Sequence, residues 1–248
     1  MGELTDKTAL VTGGGSGIGR AAALALARAG AAVALAGRRA DMLAETANRI
    51  RAAGGAALCC VADLASAEGA AAVVAATLAE FGRLDIAFNN AGYQEPRRML
   101  AEQVPAEYDR VFDINVRAVF LCMQQQIQAM QSGGVIINNA SVSGTRNPNP
   151  GLALYAASKA AVISLTRSAA MEYAPRGIRI NAVSPGRVVT DMMLGAGIAD
   201  PATIAAGLPL RRMGQPQDVA AAVLFLASER SAFVCGHVIA VDGGFLAQ

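Results

Sequence analysis

Seven short apolar runs, near residues 7–12, 32–36, 56–61, 86–89, 134–139, 179–184 and 238–241, alternate with longer helix-like stretches along the 248-residue chain. Strands that are apolar throughout must be covered on both faces, and strands separated by helices run parallel. The alternation therefore predicts an α/β protein: a doubly wound, seven-stranded parallel sheet with helices on both faces. Pro105 opens a long predicted helix that runs through Asn115 to about Met130, and Gly133-Gly134 separates it from the next strand. Neither marks a domain boundary, so residues 1–248 are expected to form one domain.

The first run carries the earliest functional signal. Lys7–Thr12 reads as a strand, Gly13-Gly14-Gly15-Ser16-Gly17-Ile18-Gly19 as a turn, and the alanine-rich stretch to Gly30 as a helix. Glycines at such a turn let the backbone approach a pyrophosphate, whose charge then rests on the helix N-terminus. Farther along, Tyr155 and Lys159 are four residues apart in a predicted helix and so share a face. A phenol near pKa 10 is a poor acid or base at neutral pH, and a neighbouring cation favours its phenolate, so Lys159 is expected to tune Tyr155 for proton transfer.

Other chemistries are disfavoured. Hydrophobic residues make up 54% of the chain and charged residues 16%, with aromatics at 4%, so the core is expected to be alanine-rich and the surface to self-associate. A net charge of +2, with no basic run longer than a pair, leaves no nucleic-acid footprint. Apolar runs are too short for a membrane span, and the first ten residues hold two acids and no apolar signal core, which predicts a cytoplasmic protein. His237 is the only histidine, and Cys59, Cys60, Cys122 and Cys235 have no metal-ligand or redox spacing; no catalytic metal is expected.

Taken together, Thr12-Gly13-x-x-x-Gly17-x-Gly19, Asn89-Asn90-Ala91-Gly92, Asn115, Ser141, Tyr155-x-x-x-Lys159 and Pro185-Gly186 resemble the short-chain dehydrogenase/reductase (SDR) family over essentially the whole chain. The resemblance implies a Rossmann fold and hydride transfer between a nicotinamide dinucleotide and an alcohol or ketone. It makes Tyr155 the general acid-base and places Ser141 on the same substrate oxygen. Lys159 would hold the nicotinamide ribose, and Asn115 a water linking Lys159 to solvent. Cofactor contacts would come from Gly13, Ser16, Gly17, Ile18 and Gly19, from Asp63 and Leu64 at the adenine, and from Asn89, Ala91 and Gly92 at the adenosine ribose. Pro185, Gly186, Val188 and Thr190 would meet the carboxamide.

In dinucleotide folds an acid after the second strand pairs with the ribose of NAD, whereas an arginine there accommodates the 2′-phosphate of NADP. Here Gly37 occupies the family's acidic position and Arg38 follows, favouring NADP(H) over NAD(H), although Ser16 is neutral where many NADP-using relatives are basic. The turn Asn147–Gly151 separates Ser141 from Tyr155 by one residue more than in many relatives. The irregular stretch 187–214 is expected to form a substrate lid, and Tyr93, Gln94, Glu95, Met192 and Met193 are pocket candidates. Val241-Asp242-Gly243-Gly244 resembles the family's subunit-contact region, which implies a homotetramer ahead of a dimer.

The leading expectation is an NADPH-preferring enzyme interconverting a small ketone and a secondary alcohol. The alternative is a 3-oxoacyl-thioester reductase, whose carrier-protein partner would need a basic patch such as Arg97-Arg98 or Arg211-Arg212. A catalytically silent dinucleotide sensor would carry a broken Tyr-Lys pair, and a nucleotide-sugar epimerase a longer chain.

Overall fold

Strands form at all seven predicted places: β1 (Thr8–Thr12), β2 (Ala32–Gly37), β3 (Ala57–Val61), β4 (Ile86–Asn89), β5 (Val135–Asn139), β6 (Arg179–Pro185) and β7 (Val238–Val241). The structure is a computed structural model that describes residues 2–130, 133–147, 150–194 and 200–248. The strands pair in parallel in the order β3-β2-β1-β4-β5-β6-β7.

Strand alternation divides the core into two layers. Ala9 and Val11 of β1 face a cluster with α1 (Gly17–Arg28), α2 (Ala40–Ala52) and the last long helix; Leu10 faces the other. That second layer holds α3 (Ala67–Phe81), α5 (Ala118–Ala129) and α6 (Ala153–Tyr173). Both faces are thereby dry, which is why the strands carry apolar residues at odd and even positions alike. Alanines on α1, including the fully buried Ala22 and Ala23, let that helix lie close to the sheet.

The predicted Pro105–Met130 helix is broken in the middle. α4 (Pro105–Phe112) passes through a π-turn at Asp113–Arg117 before α5 begins. A π-turn inserts an extra residue and re-aims the side chains around it, and Asn115 sits there, fully buried.

Two helix starts that follow a loop have neither a side-chain cap nor an acid in the first turn. α3 is capped conventionally: Ser66 Oγ accepts from Gly69 N at 2.9 Å, a contact of about 1 kcal/mol. By contrast Ser16 makes no side-chain cap on α1, whose first turn has no acid, and Leu152 cannot cap α6. These two helices begin at the carboxyl ends of β1 and β5, on either side of the point between β1 and β4 where the strand order reverses. Ligands bind at that point in open α/β sheets.

Beyond β6, Val188 bridges Gly214, with Val189 N donating to Gly214 O at 2.9 Å and Gly214 N to Arg187 O at 2.8 Å. The stretch 187–214 is therefore pinched at its base. Within it lie α7 (Asp191–Leu194) and α8 (Pro201–Ala206), and Leu208 packs with Val142 and Phe245 before α9 (Pro216–Ala227) begins. Residues 195–199, including Gly195 and Gly197 of the expected lid, and 148–149 of the Asn147–Gly151 turn lie outside the described residues. Among the described residues no helix is long and apolar enough to cross a membrane.

Candidate active site

A cleft of about 630 Å³ opens along the carboxyl ends of β1 to β6. One half follows β1, β2 and β3. Gly13, Ser16, Gly17, Ile18, Arg38, Asp63 and Leu64 line it, together with Gly15 and Arg39. Gly13 adopts φ +64 and its N–H bonds Ala36 O at 2.7 Å, turning the chain out of β1. Gly19 is not on the cleft wall. It lets α1 approach the loop, because a Cβ there would lie 2.2 Å from the Gly13 carbonyl oxygen and 2.5 Å from Asn90 Nδ2.

Arg20 braces the loop from behind, donating to Gly15 O from Nη2 at 2.6 Å while pairing with Glu45 at 2.8 Å. Arg39, at the start of α2, donates to Ser16 Oγ at 2.9 Å. The neutral Ser16 is thus supplied with a cation from the next strand end. Asp63 Oδ1 accepts from Ala65 N at 3.1 Å, an ordinary turn contact, with its carboxylate still on the cleft wall.

Asn89 requires a correction. The structure buries it: Nδ2 donates to Gln126 Oε1 and Asn138 Oδ1, both at 3.0 Å, and Gln126 Nε2 donates back to Asn89 Oδ1 at 2.8 Å. These bonds pay the desolvation cost of the amide inside the core. Asn90, Ala91 and Gly92 take the cleft wall instead. Thr12 holds them there, its Oγ1 accepting from Asn90 N at 2.8 Å and Ala91 N at 3.0 Å.

The other half gathers Ser141, Tyr155, Lys159, Pro185, Gly186, Val188 and Thr190, with Tyr93, Gln94, Met192 and Met193. Ser141 and Tyr155 share this wall of the cleft. Lys159 is 3% exposed, donates from Nζ to Asn139 O at 2.7 Å and lies 5.7 Å from the centroid of the Tyr155 ring. Burial draws the Lys159 pKa down to about 8.

Around the Tyr155 phenol the contacts act in opposite directions. Burial raises the Tyr155 pKa, the Ser141 hydrogen bond lowers it, and the charge of Glu95 raises it further. Glu95 itself is buried behind the wall, where Oε1 accepts from Tyr155 N at 3.1 Å and Oε2 has no hydrogen-bond partner among the described residues. It thereby supplies the anion that α6 lacks at its N-terminus.

Asn115 is brought beside these groups but faces away from the cleft. Its Nδ2 donates to Tyr93 O at 2.8 Å and Ser158 Oγ at 2.9 Å, and Oδ1 accepts from Tyr93 N at 2.7 Å. Both amide hydrogens are spent, so the side chain ties the loop after β4 to α6 rather than presenting a donor to water. Gly144 lets the turn after Ser141 press on α6, since a Cβ would come within 2.7 Å of the Lys159 carbonyl carbon. The roles of Thr12, Asn139, Gly144 and Glu95 escape a reading of the sequence. Thr12, at the mouth of the glycine loop, carries the one local signal among them.

The chain matches the family model described as enoyl-(acyl carrier protein) reductase over residues 13–246. It is 40% identical to the A-factor type gamma-butyrolactone 1′-reductase (1S-forming) of Streptomyces virginiae, over 99% of this chain and 97% of the relative. It is 41% identical to the cis-4-hydroxycyclohexanecarboxylate dehydrogenase of Sinomonas cyclohexanicum, over 100% of both chains. A short chain dehydrogenase from Burkholderia cenocepacia J2315, solved in complex with NADP, superposes with a TM-score of 0.92 at 36% identity, covering 97% of this chain and 98% of that one.

Proposed function

The chain belongs to the short-chain dehydrogenase/reductase family and is an NAD(P)-dependent oxidoreductase acting on alcohol or ketone groups; within that activity we propose that it interconverts a small ketone and a secondary alcohol with NADP(H), using Tyr155 as the general acid-base. The observation that carries the reading is the meeting of Ser141, Tyr155 and Lys159 on the wall of a cleft whose other half is a glycine loop at an uncapped helix start.

The cleft fits a dinucleotide. The loop backbone admits close approach, and the free donors of α1 suit a pyrophosphate. Arg38 and Arg39 follow β2 where no acid stands to repel a 2′-phosphate, and planar guanidinium forks match that dianion. When bound, the nicotinamide supplies or accepts the hydride. In reduction Tyr155 Oη gives its proton to the substrate oxygen; in oxidation the phenolate takes the hydroxyl proton back. Ser141 Oγ hydrogen-bonds the same oxygen and stabilises the charge that develops on it. Lys159 is fixed by Asn139 O in a position to hold the ribose and to compensate negative charge on the phenol. Asn115 keeps the loop after β4 and α6 in register. Met192 and Met193, on the stretch pinched between Val188 and Gly214, act as part of a lid over the substrate.

The 3-oxoacyl-thioester alternative draws on the acyl-carrier-protein chemistry named for the matched family model, but one of its two proposed basic patches is otherwise engaged. Arg212 pairs with Asp218 at 2.7 Å and Arg211 donates to Ala206 O. Self-association is supported by Phe233 and Met171, which are large apolar side chains left exposed; light scattering of the purified protein would show a tetramer or dimer.

The reading is tested by following reduced cofactor over a panel of ketones and 3-oxoacyl thioesters, with NADPH and NADH in parallel. Ketone turnover favouring NADPH is the expected result. A preference for thioesters would replace it with the alternative, and cofactor binding with no turnover on any carbonyl would sink it.

A further inference from the structure

The wall of the substrate half is completed by a segment to which hydride transfer assigns no role. Phe245, in the turn that follows β7, lines the cleft together with Ser141, Tyr155, Met192 and Met193. Its side chain is buried and packs with Leu208 and with Val142, the residue next to Ser141. The ring is therefore one side chain away from Ser141, on the side where a substituent of the reacting carbon would lie.

Separate segments fix the place of this ring. Asp242 closes the turn, its Oδ1 accepting from Gly244 N and its Oδ2 from Leu246 N, both at 2.9 Å. The turn is pressed onto the end of β6: Gly186 N donates to Val241 O at 3.0 Å, and a Cβ on Gly186 would lie 2.7 Å from Asp242 Cα. The stretch 187–214 joins it where Leu210 N donates to Gly243 O at 3.2 Å. From the turn after Ser141, Arg146 donates from Nη1 to Gln248 O and, at 3.5 Å, to Phe245 O, with its guanidinium 5.7 Å from the ring centroid. Neither Asp242 nor Arg146 lines the cleft, so these contacts act on Phe245 and not on a ligand. An aromatic side chain locked in this way has lost its rotamer freedom before a ligand arrives, and an apolar group laid on it binds without that ordering cost. Val142, also on the cleft wall, continues the same apolar surface.

We propose that Phe245 is the specificity-determining residue of the substrate site, that the hydrocarbon body of a compact alicyclic ketone packs on its ring, and that Arg146 is a positioning residue for that ring. The proposal rests on the hydride-transfer reading for the reacting carbonyl, but not for the binding of the hydrocarbon.

Two measurements separate these layers. Turnover of cyclohexanone is compared with that of butanone in the wild type and in Phe245→Leu, Phe245→Ala, Arg146→Gln and Arg146→Lys, with melting temperatures to identify the variants that fold. Calorimetry on the NADPH-loaded protein then compares N-cyclohexylformamide with N-methylformamide, carbonyl mimics that do not accept hydride. The cyclohexanone/butanone ratio of kcat/KM should fall by roughly 10-fold in Phe245→Ala and by less in Phe245→Leu, mainly through KM. Arg146→Gln should lower the ratio part of the way and Arg146→Lys should restore it, whereas a merely structural role would lower both ketones alike. Preference for the cyclohexyl amide that depends on Phe245, with no ketone turned over, would uphold the apolar wall while removing the parent reading. Ketone turnover with a ratio that stays within about twofold of the wild type in every folded Phe245 variant would overturn the proposal and leave the parent reading standing. A ratio that falls in Phe245→Leu but not in Arg146→Gln would overturn the positioning role of Arg146. Absence of both ketone turnover and amide preference in the wild type would overturn the proposal and the parent reading together.

Discussion

The two halves of the cleft are built from different materials. The half after β1, β2 and β3 is made mainly of backbone: a glycine loop, a bare helix start and strand ends, with Arg20 bracing it from behind. The half after β4, β5 and β6 is made of side chains that meet from distant parts of the chain, such as Glu95 on the Tyr155 amide, sixty positions apart. Backbone surfaces tolerate little change because added atoms collide, whereas side-chain surfaces can be retuned one group at a time. One half should therefore fail by losing its ligand, and the other by losing rate, selectivity or pH optimum.

The largest effect expected from this contrast is in the side-chain half. Tyr155→Phe should lower kcat by roughly 1000-fold while cofactor binding, measured by fluorescence titration, is retained. Wild-type-like turnover would end the proposed proton transfer. Next comes a substitution in the backbone half. Gly19→Ala places a Cβ against the Gly13 carbonyl and Asn90, so the loop must shift. Cofactor affinity should fall at least about 10-fold, with a lower melting temperature from overpacking; unchanged values in both would show that the loop is softer than its contacts imply.

Cofactor choice is expected to be a smaller effect, because exposed charges are screened. Arg38→Asp should shift the NADPH/NADH ratio of kcat/KM by roughly 10-fold or more toward NADH, and Arg39→Ala should move it the same way by less. A ratio unmoved by Arg38→Asp would remove that side chain from phosphate recognition and leave Arg39, already bonded to Ser16, as the candidate.

The smallest effects are shifts in pH, and their signs are opposite. Glu95 raises the phenol pKa and Ser141 lowers it. Alcohol oxidation requires the phenolate and so rises with pH through that pKa. Glu95→Gln should move the rise to lower pH, and Ser141→Ala should move the residual rise to higher pH, as read from kcat/KM for oxidation. Shifts of the same sign would show that the two substitutions act through the fold and not through the phenol.

The fold was legible because its signals are local. Each strand lies within a residue of the apolar run that predicts it, and both faces of the sheet read as buried from the lack of alternation in sequences such as Ala9-Leu10-Val11. The π-turn at Asp113–Arg117 was not legible, since an uninterrupted helical pattern crosses it and only the pull of Tyr93 and Ser158 on Asn115 marks the place. Asn89 and Asn90 look interchangeable on paper. The pleat turns one into the amide network with Gln126 and Asn138 and leaves the other at the cleft.

What the sequence alone determined is therefore the sheet, the glycine loop and the Tyr155–Lys159 spacing, because each depends on residues within a turn or a strand of one another. Only the tertiary structure decided which charges surround the phenol, which arginine reaches Ser16, and that Arg146 reaches the turn that holds Phe245. Those outcomes depend on contacts between segments that the chain separates by up to 99 positions. Electrostatic interaction follows distance in space, which no local pattern encodes.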